Sequence, residues 1–144
     1  MVVRYRTEAI NDAEGHSWVP GGLDVAVASP LADDVDPTAS NPEQLLALAW
    51  ATCLNGTAQV LVLEQVRTSV RVEVELHPAE PGPGYEFHVD AFLSAEGYSS
   101  EQTADLVERA HARCPVSKLL RASATVHVHG EEYATEAVPL SSRR

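Results

Sequence analysis

Asn41-Pro42-Glu43-Gln44-Leu45-Leu46-Ala47-Leu48-Ala49-Trp50-Ala51-Thr52-Cys53-Leu54 is the stretch on which the fold turns. Asn41 as cap, Pro42 at the first helical position and Gln44 three residues after the cap make a strong helix start. The helix is predicted to run to about Gln65. Its apolar residues (Leu45, Leu46, Leu48, Ala49, Trp50, Cys53, Leu54, Ala58, Val60, Leu61) go almost all the way round. A helix without a polar face belongs in the middle of a core, covered on several sides. Cys53 lies near its midpoint.

Strand signals stand on both sides of this helix. Val3, Tyr5, Thr7 and Ala9 alternate with Arg4, Arg6 and Glu8, which predicts a half-buried first strand. Turn residues fill 10–22 around a short strand near Trp18, and Leu23, Val25 and Val27 alternate again. An acidic loop, Ser29 to Ser40, leads into the helix. After it, Val70, Val72, Val74 and Leu76 face a return strand of Phe87, Val89, Ala91 and Leu93 across a turn of prolines and glycines from Pro78 to Gly84. Ser99 with Gln102 forms a capping box, and Ala104, Val107, Ala110 and Cys114 share one helical face. Pro115 breaks that helix and starts a short one to about Arg121. Ala124, Val126 and Val128 form a closing strand, and an irregular tail runs from Glu131 to Arg144. The order β-β-(β)-α-β-β-α-α-β is that of an α+β protein, read as a single domain over residues 1–144.

Composition narrows the function. The chain has 144 residues and a formal net charge of −11, with Lys118 its only lysine. A field of that sign repels phosphate backbones, so nucleic acid is not an expected partner. Asn55, Thr57 and Gln59 interrupt the longest apolar run, which excludes a membrane span there, and Met1 to Arg6 lacks a signal-peptide core. The expected location is the cytoplasm. In that reducing setting two cysteines are more in keeping with catalysis, redox sensing or simple burial than with a permanent staple.

The local physics treats the two cysteines differently. A free thiol at neutral pH is only a few per cent thiolate. Cys53 is mid-helix among apolar neighbours, so it reads either as a small core residue or as a nucleophile whose pKa is pushed up. Cys114 precedes Pro115 in a cap-like position, near Arg113 and Lys118, where an anion is favoured. On electrostatics alone Cys114 is the more reactive thiol.

Taken together, Asn41-Pro42-Glu43-Gln44-Leu45, the ten-residue step from Glu43 to Cys53, Leu23-Asp24-Val25, the 70–93 hairpin and Cys114-Pro115-Val116-Ser117-Lys118 with Arg121 resemble the OsmC/Ohr family of thiol peroxidases. The resemblance covers most of the chain. It implies a long buried central helix packed against antiparallel sheets in an intertwined homodimer, with active sites at the subunit interface. It also reverses the assignment from electrostatics: Cys53 attacks an organic, alkyl or lipid hydroperoxide, and Cys114 resolves the product as an intramolecular disulfide. A lipoyl-type or other dithiol then resets the pair, with no cofactor and no metal. In Ohr-type members a glutamate matching Glu43 pairs with an arginine that stabilises the thiolate. Ten helical residues span about 15 Å, so Glu43 cannot reach Cys53 along its own helix. Either the helix is interrupted or the partner chain supplies the carboxylate, and the second fits a shared interface.

The chain departs from that pattern at one place. The stretch expected to carry the arginine reads Asn11-Asp12-Ala13-Glu14-Gly15-His16, with Ala13 at its position. This supports a rival reading: a catalytically weak OsmC-like protein that binds a small apolar ligand at the dimer interface. Leu46, Trp50 and Leu54 are the residues expected to provide apolar surroundings for a substrate tail. His127 and His129 share one strand face but lack a third ligand at metal spacing, and read as a solvated face.

Overall fold

A computed structural model describes residues 1–135, as two compact units, the first Met1–Leu45 and the second beginning at Leu46. The predicted tail therefore lies partly outside the described residues. In the first unit, β1 (Ile10–Asn11), β2 (His16–Trp18) and β3 (Asp24–Ala26) form a small antiparallel sheet in that order. The β1–β2 turn is held by its own polar side chains. Asn11 Nδ2 donates to the His16 carbonyl and to Ser17 Oγ, both at 3.1 Å, and the Asp12 carboxylate accepts from Glu14 N–H at 3.0 Å. Ser40 N–H then donates to the Ala26 carbonyl at 2.7 Å and closes the acidic loop.

The strand expected over residues 3–9 is not formed. Regular structure starts at Ile10, and Met1, Val2, Val3 and Tyr5 are exposed. A strand needs an edge to pair with, and apolar alternation records only that one face wants cover.

Helix α1 (Pro42–Leu61) starts as predicted, with Gln44 N–H donating to Asn41 Oδ1 at 2.9 Å. It stops four residues short of Gln65. Leu63 and Glu64 adopt positive φ values of 55° and 57°, which ends the helical path. Gln59 Nε2 donates to the Val66 carbonyl and to Thr68 Oγ1, and Thr68 in turn donates to Asn55 Oδ1. The polar residues that interrupt the apolar run thus tie the helix to the strand that follows.

In the second unit β4 (Thr68–Pro78) and β5 (Tyr85–Ala95) make the expected hairpin, longer at both ends, pairing Val72 with Ala91 and Val74 with Val89. Helices α2 (Ser100–Arg113) and α3 (Pro115–Leu120) follow, and β6 (Val126–Gly130) joins β5 as a parallel neighbour. The α+β class is borne out. Trp50, Leu54, Ala58 and Val62 of α1 and its end form one core with Val89, Ala91, Leu93 and Ala95 of β5 and with Leu106, Ala110 and Cys114. That core uses one face of α1 at i, i+4 spacing. The face of Leu48, Thr52, Gly56 and Val60 is exposed, so the chain alone does not give its central helix the all-round cover the sequence asks for. Among the described residues no helix is long and apolar enough to cross a membrane.

Candidate functional site

Cys114 sits where two helices meet. Its N–H donates to the Ala110 carbonyl at 2.9 Å, finishing α2, and its sulphur accepts from Ser117 N–H at 3.4 Å, capping α3. Pro115 suits the first position of α3, because the N–H it lacks would have had no helical partner. Both halves of this corner are local and follow from Cys-Pro-Val-Ser. The side chain of Cys114 is fully buried.

Cys53 faces the same corner from α1 and is only half-buried. Cys114 stands near enough to bear on the Cys53 thiol, so the fold brings together two cysteines sixty-one positions apart in the chain. Both are free thiols. Burial pushes the Cys53 thiol up, the Val116 backbone N–H opposes that rise, and the neighbouring Cys114 adds to it. Within this unit, burial outweighs the one favourable donor.

The corner is locked to α1 from behind. Trp50 Nε1–H donates to Ser117 Oγ at 2.9 Å, with both residues fully buried. Trp50 and Leu54 are therefore core residues, and the expectation that they wall a substrate pocket is corrected; Leu46 is half-buried. Their apolar character is used up by packing against β5 and α2, which a helix apolar all round does not reveal. His111, one turn before Cys114, packs beside Trp50 with ring centroids 6.5 Å apart. Ser117 stands inside the Cys114-Pro115-Val116-Ser117-Lys118 motif without being singled out there, and His111 precedes that motif by three residues. The i, i+3 spacing of His111 and Cys114 was the available signal, whereas the Val116 N–H is backbone and leaves no trace in residue types.

Glu43 belongs to the first unit and lies in the first turn of α1. The helix is unbroken from Pro42 to Leu61, which removes the interrupted-helix alternative. Its Oε2 is buried and, among the described residues, has no hydrogen-bond partner. Ala13 holds a positive φ of 69°. His16 lies between two carboxylates, Asp24 at 3.0 Å and Asp12 at 3.8 Å, and stacks on Trp18. On the outer face of the second sheet, His129 Nε2–H donates to the Asp90 carboxylate at 2.7 Å. Among the described residues no group of three or more histidines, cysteines or carboxylates is placed to hold a metal.

Residues 35–129 match the model of the OsmC-like protein family. The chain belongs to the OsmC-like family. The organic hydroperoxide resistance protein OhrA of Bacillus subtilis is 36% identical over 100 residues, covering 67% of this chain and 70% of the relative. An organic hydroperoxide resistance protein-like relative from Mycoplasma genitalium is 34% identical over 131 residues, or 84% and 90% of the two chains. Among solved structures, an organic hydroperoxide resistance protein from Elizabethkingia anophelis, with crystallant-derived thiocyanate bound, superposes with a TM-score of 0.83 at 25% identity. That superposition covers 92% of this chain and all of the other. This OsmC-like chain thus has relatives whose names place them in organic hydroperoxide resistance.

Proposed function

We propose that this chain is a cysteine-based peroxidase that reduces organic hydroperoxides to alcohols, and that it works as a homodimer in the cytoplasm. The observation that carries the reading is the pair of free thiols at one corner, with Cys53 reachable and Cys114 sealed beside it. The Cys53 thiolate attacks the distal peroxide oxygen, the O–O bond breaks, and the alkoxide leaves as an alcohol after taking a proton. Cys53 becomes a sulfenic acid. Cys114 then attacks that sulphur, water leaves, and a disulfide joins the two. A dithiol of lipoyl type returns both to thiols by exchange. Accessibility supports this order of roles, against the local electrostatics of the sequence: a sealed thiol does not meet a peroxide, but it can meet its neighbour.

Glu43 completes the site from a second copy. Its own unbroken helix holds it away from Cys53, and its unpartnered buried oxygen is suited to a cation. The exposed apolar face of α1 and the exposed apolar residues of 1–9 support a second copy as the cover. The upward push on Cys53 and the alanine at position 13 favour a second reading, a slow thiol protein that binds a small apolar ligand between subunits.

Stopped-flow mixing of reduced protein with cumene hydroperoxide, followed by intact-mass analysis, separates the two. The peroxidase consumes one equivalent rapidly and becomes two hydrogens lighter. Cys53→Ser abolishes the reaction and Cys114→Ser stops at the sulfenic acid. Because the Cys53 thiol is pushed up, the first step climbs about tenfold per pH unit above neutrality until that thiol ionises. Oxidation no faster than that of an ordinary free thiol would hand the site to the ligand-binding reading.

A further inference from the structure

Cys114 is sealed from solvent, yet it attacks as a thiolate. Its proton cannot pass directly to bulk water, so the disulfide-forming step calls for an acceptor inside the protein. His111 stands one helical turn earlier on α2, the i, i+3 spacing at which side chains are neighbours. Its Nδ1 is buried and, among the described residues, has no hydrogen-bond partner. A buried polar nitrogen left unmatched is costly and asks for a role. The ring lies beside Trp50, the Trp50 indole holds the Ser117 hydroxyl, and the Ser117 backbone N–H touches the Cys114 sulphur. A chain of neighbours thus runs from the imidazole through the indole and Ser117 to the Cys114 sulphur.

We propose that His111 is the base that takes the proton of Cys114 as that thiol attacks oxidised Cys53, an inference that rests on the disulfide-forming reading above. The groups that bear on His111 come from three elements. Arg121 caps the end of α3, α1 presents the Trp50 indole, and along α2 Glu108 lies one turn before and Cys114 one turn after. Burial first and the Arg121 charge second hold the imidazole below its ordinary pKa, so it is neutral at pH 7 and has a lone pair to offer. In the step, the Cys114 S–H bond breaks and its proton passes to Nδ1. The sulphur electron pair forms the S–S bond with Cys53, the S–O bond of the sulfenic acid breaks, and the departing hydroxide takes the proton back as water. Cys114 is oxidised, Cys53 is reduced from the sulfenic level, and the imidazole ends neutral.

Dithiobis(nitrobenzoate) tests this without any peroxide. Labelling of Cys53 releases one thionitrobenzoate, and displacement of the label by Cys114 releases a second, so the second phase isolates the resolving attack. In wild type the second phase should rise with pH through the imidazole range and then level off. In His111→Gln it should be slower by about 100-fold at neutral pH and climb tenfold per unit towards the thiol range, with the first phase unchanged. His111→Ala should show the same loss, with part of the rate restored by imidazole in the buffer, a result that a merely misfolded variant does not give. Second phases in both variants with the wild-type rate and pH dependence would overturn the proposal. If the second phase depends on His111 while cumene hydroperoxide leaves Cys53 untouched, the peroxidase reading falls and the role of His111 stands.

Discussion

The two units of this chain meet the demand for burial to very different extents. Beyond Leu46, Trp50, Leu54, Leu93, Leu106 and Cys114 are enclosed in one core. In Met1–Leu45 no residue is fully buried, and Val2, Val3, Tyr5, Leu23, Leu31 and Val35 stand exposed. A segment of that length is at the lower limit for supporting a core of its own. Its apolar alternation is nevertheless as regular as that of β4. The difference teaches that a hydrophobic pattern states a need for cover and not which chain supplies it. A self-complementary second copy is the commonest supplier. On the homodimer reading, the exposed face of α1 and the arm before Ile10 are the surfaces it would cover.

Paired substitutions on the two faces of α1 put the greatest strain on this contrast. Leu54 is 2% exposed, and Leu54→Ala should cost about 2–5 kcal/mol in chemical unfolding, because the sheet and α2 cannot collapse fully onto the gap. Leu48 is 63% exposed, and Leu48→Asp should change the stability of a single protomer by less than about 0.5 kcal/mol. On the homodimer reading, however, sedimentation should show Leu48→Asp shifting the protein to monomer, since it places an unpaired charge in the interface. A dimer unchanged by Leu48→Asp would mean that this face of the helix is only solvent-exposed.

A smaller effect is expected at the corner itself. Ser117→Ala removes the acceptor of the Trp50 indole and leaves a buried N–H unmatched, a loss of about 1–3 kcal/mol. A double-mutant cycle with Trp50→Phe should return a coupling of about 1 kcal/mol; additive losses would show that the bond does not join α1 to α3 energetically.

Features that depend on near neighbours in sequence were legible. Asn41 and Gln44 cap α1, Ser99 and Gln102 close a capping box on α2, and Cys114-Pro115 makes the corner, each because the partners lie within four residues. The β4–β5 hairpin was legible because its two alternating strands are consecutive and joined by a single turn of prolines and glycines. Features that depend on what lies opposite were not. Trp50 and Leu54 share a helix with Leu48 and Val60, and nothing in that run says which face meets β5 and which is left open. The candidate site divides the same way. The two cysteines could be read from their motifs, but the Val116 N–H beside Cys53, the Trp50–Ser117 bond and the unmatched His111 nitrogen arise only when distant segments pack. His16 between Asp12 and Asp24 is a third such case, joined across a turn and a strand pair.

The smallest effect concerns the place where α1 stops. Leu63 holds a positive φ of 55° and is 73% exposed, so its side chain contributes little packing to offset a left-handed backbone. That conformation costs an L-residue about 1–2 kcal/mol, whereas glycine adopts it freely. Glycine also loses more freedom on folding, which takes back part of the gain. Leu63→Gly should therefore stabilise the protein by about 0.5–1 kcal/mol, a rise of a few degrees in Tm. The same residue at an ordinary exposed position of α1 should do the reverse: Thr52→Gly is expected to cost a few tenths of a kcal/mol, because its backbone is helical and gains nothing from a missing side chain. Opposite signs at two exposed positions eleven residues apart would show that backbone conformation ends α1 after Leu61. Equal signs would mean instead that the turn at Leu63 and Glu64 is held by the Gln59 and Thr68 side chains, and that the helix ends where its polar ties to β4 begin.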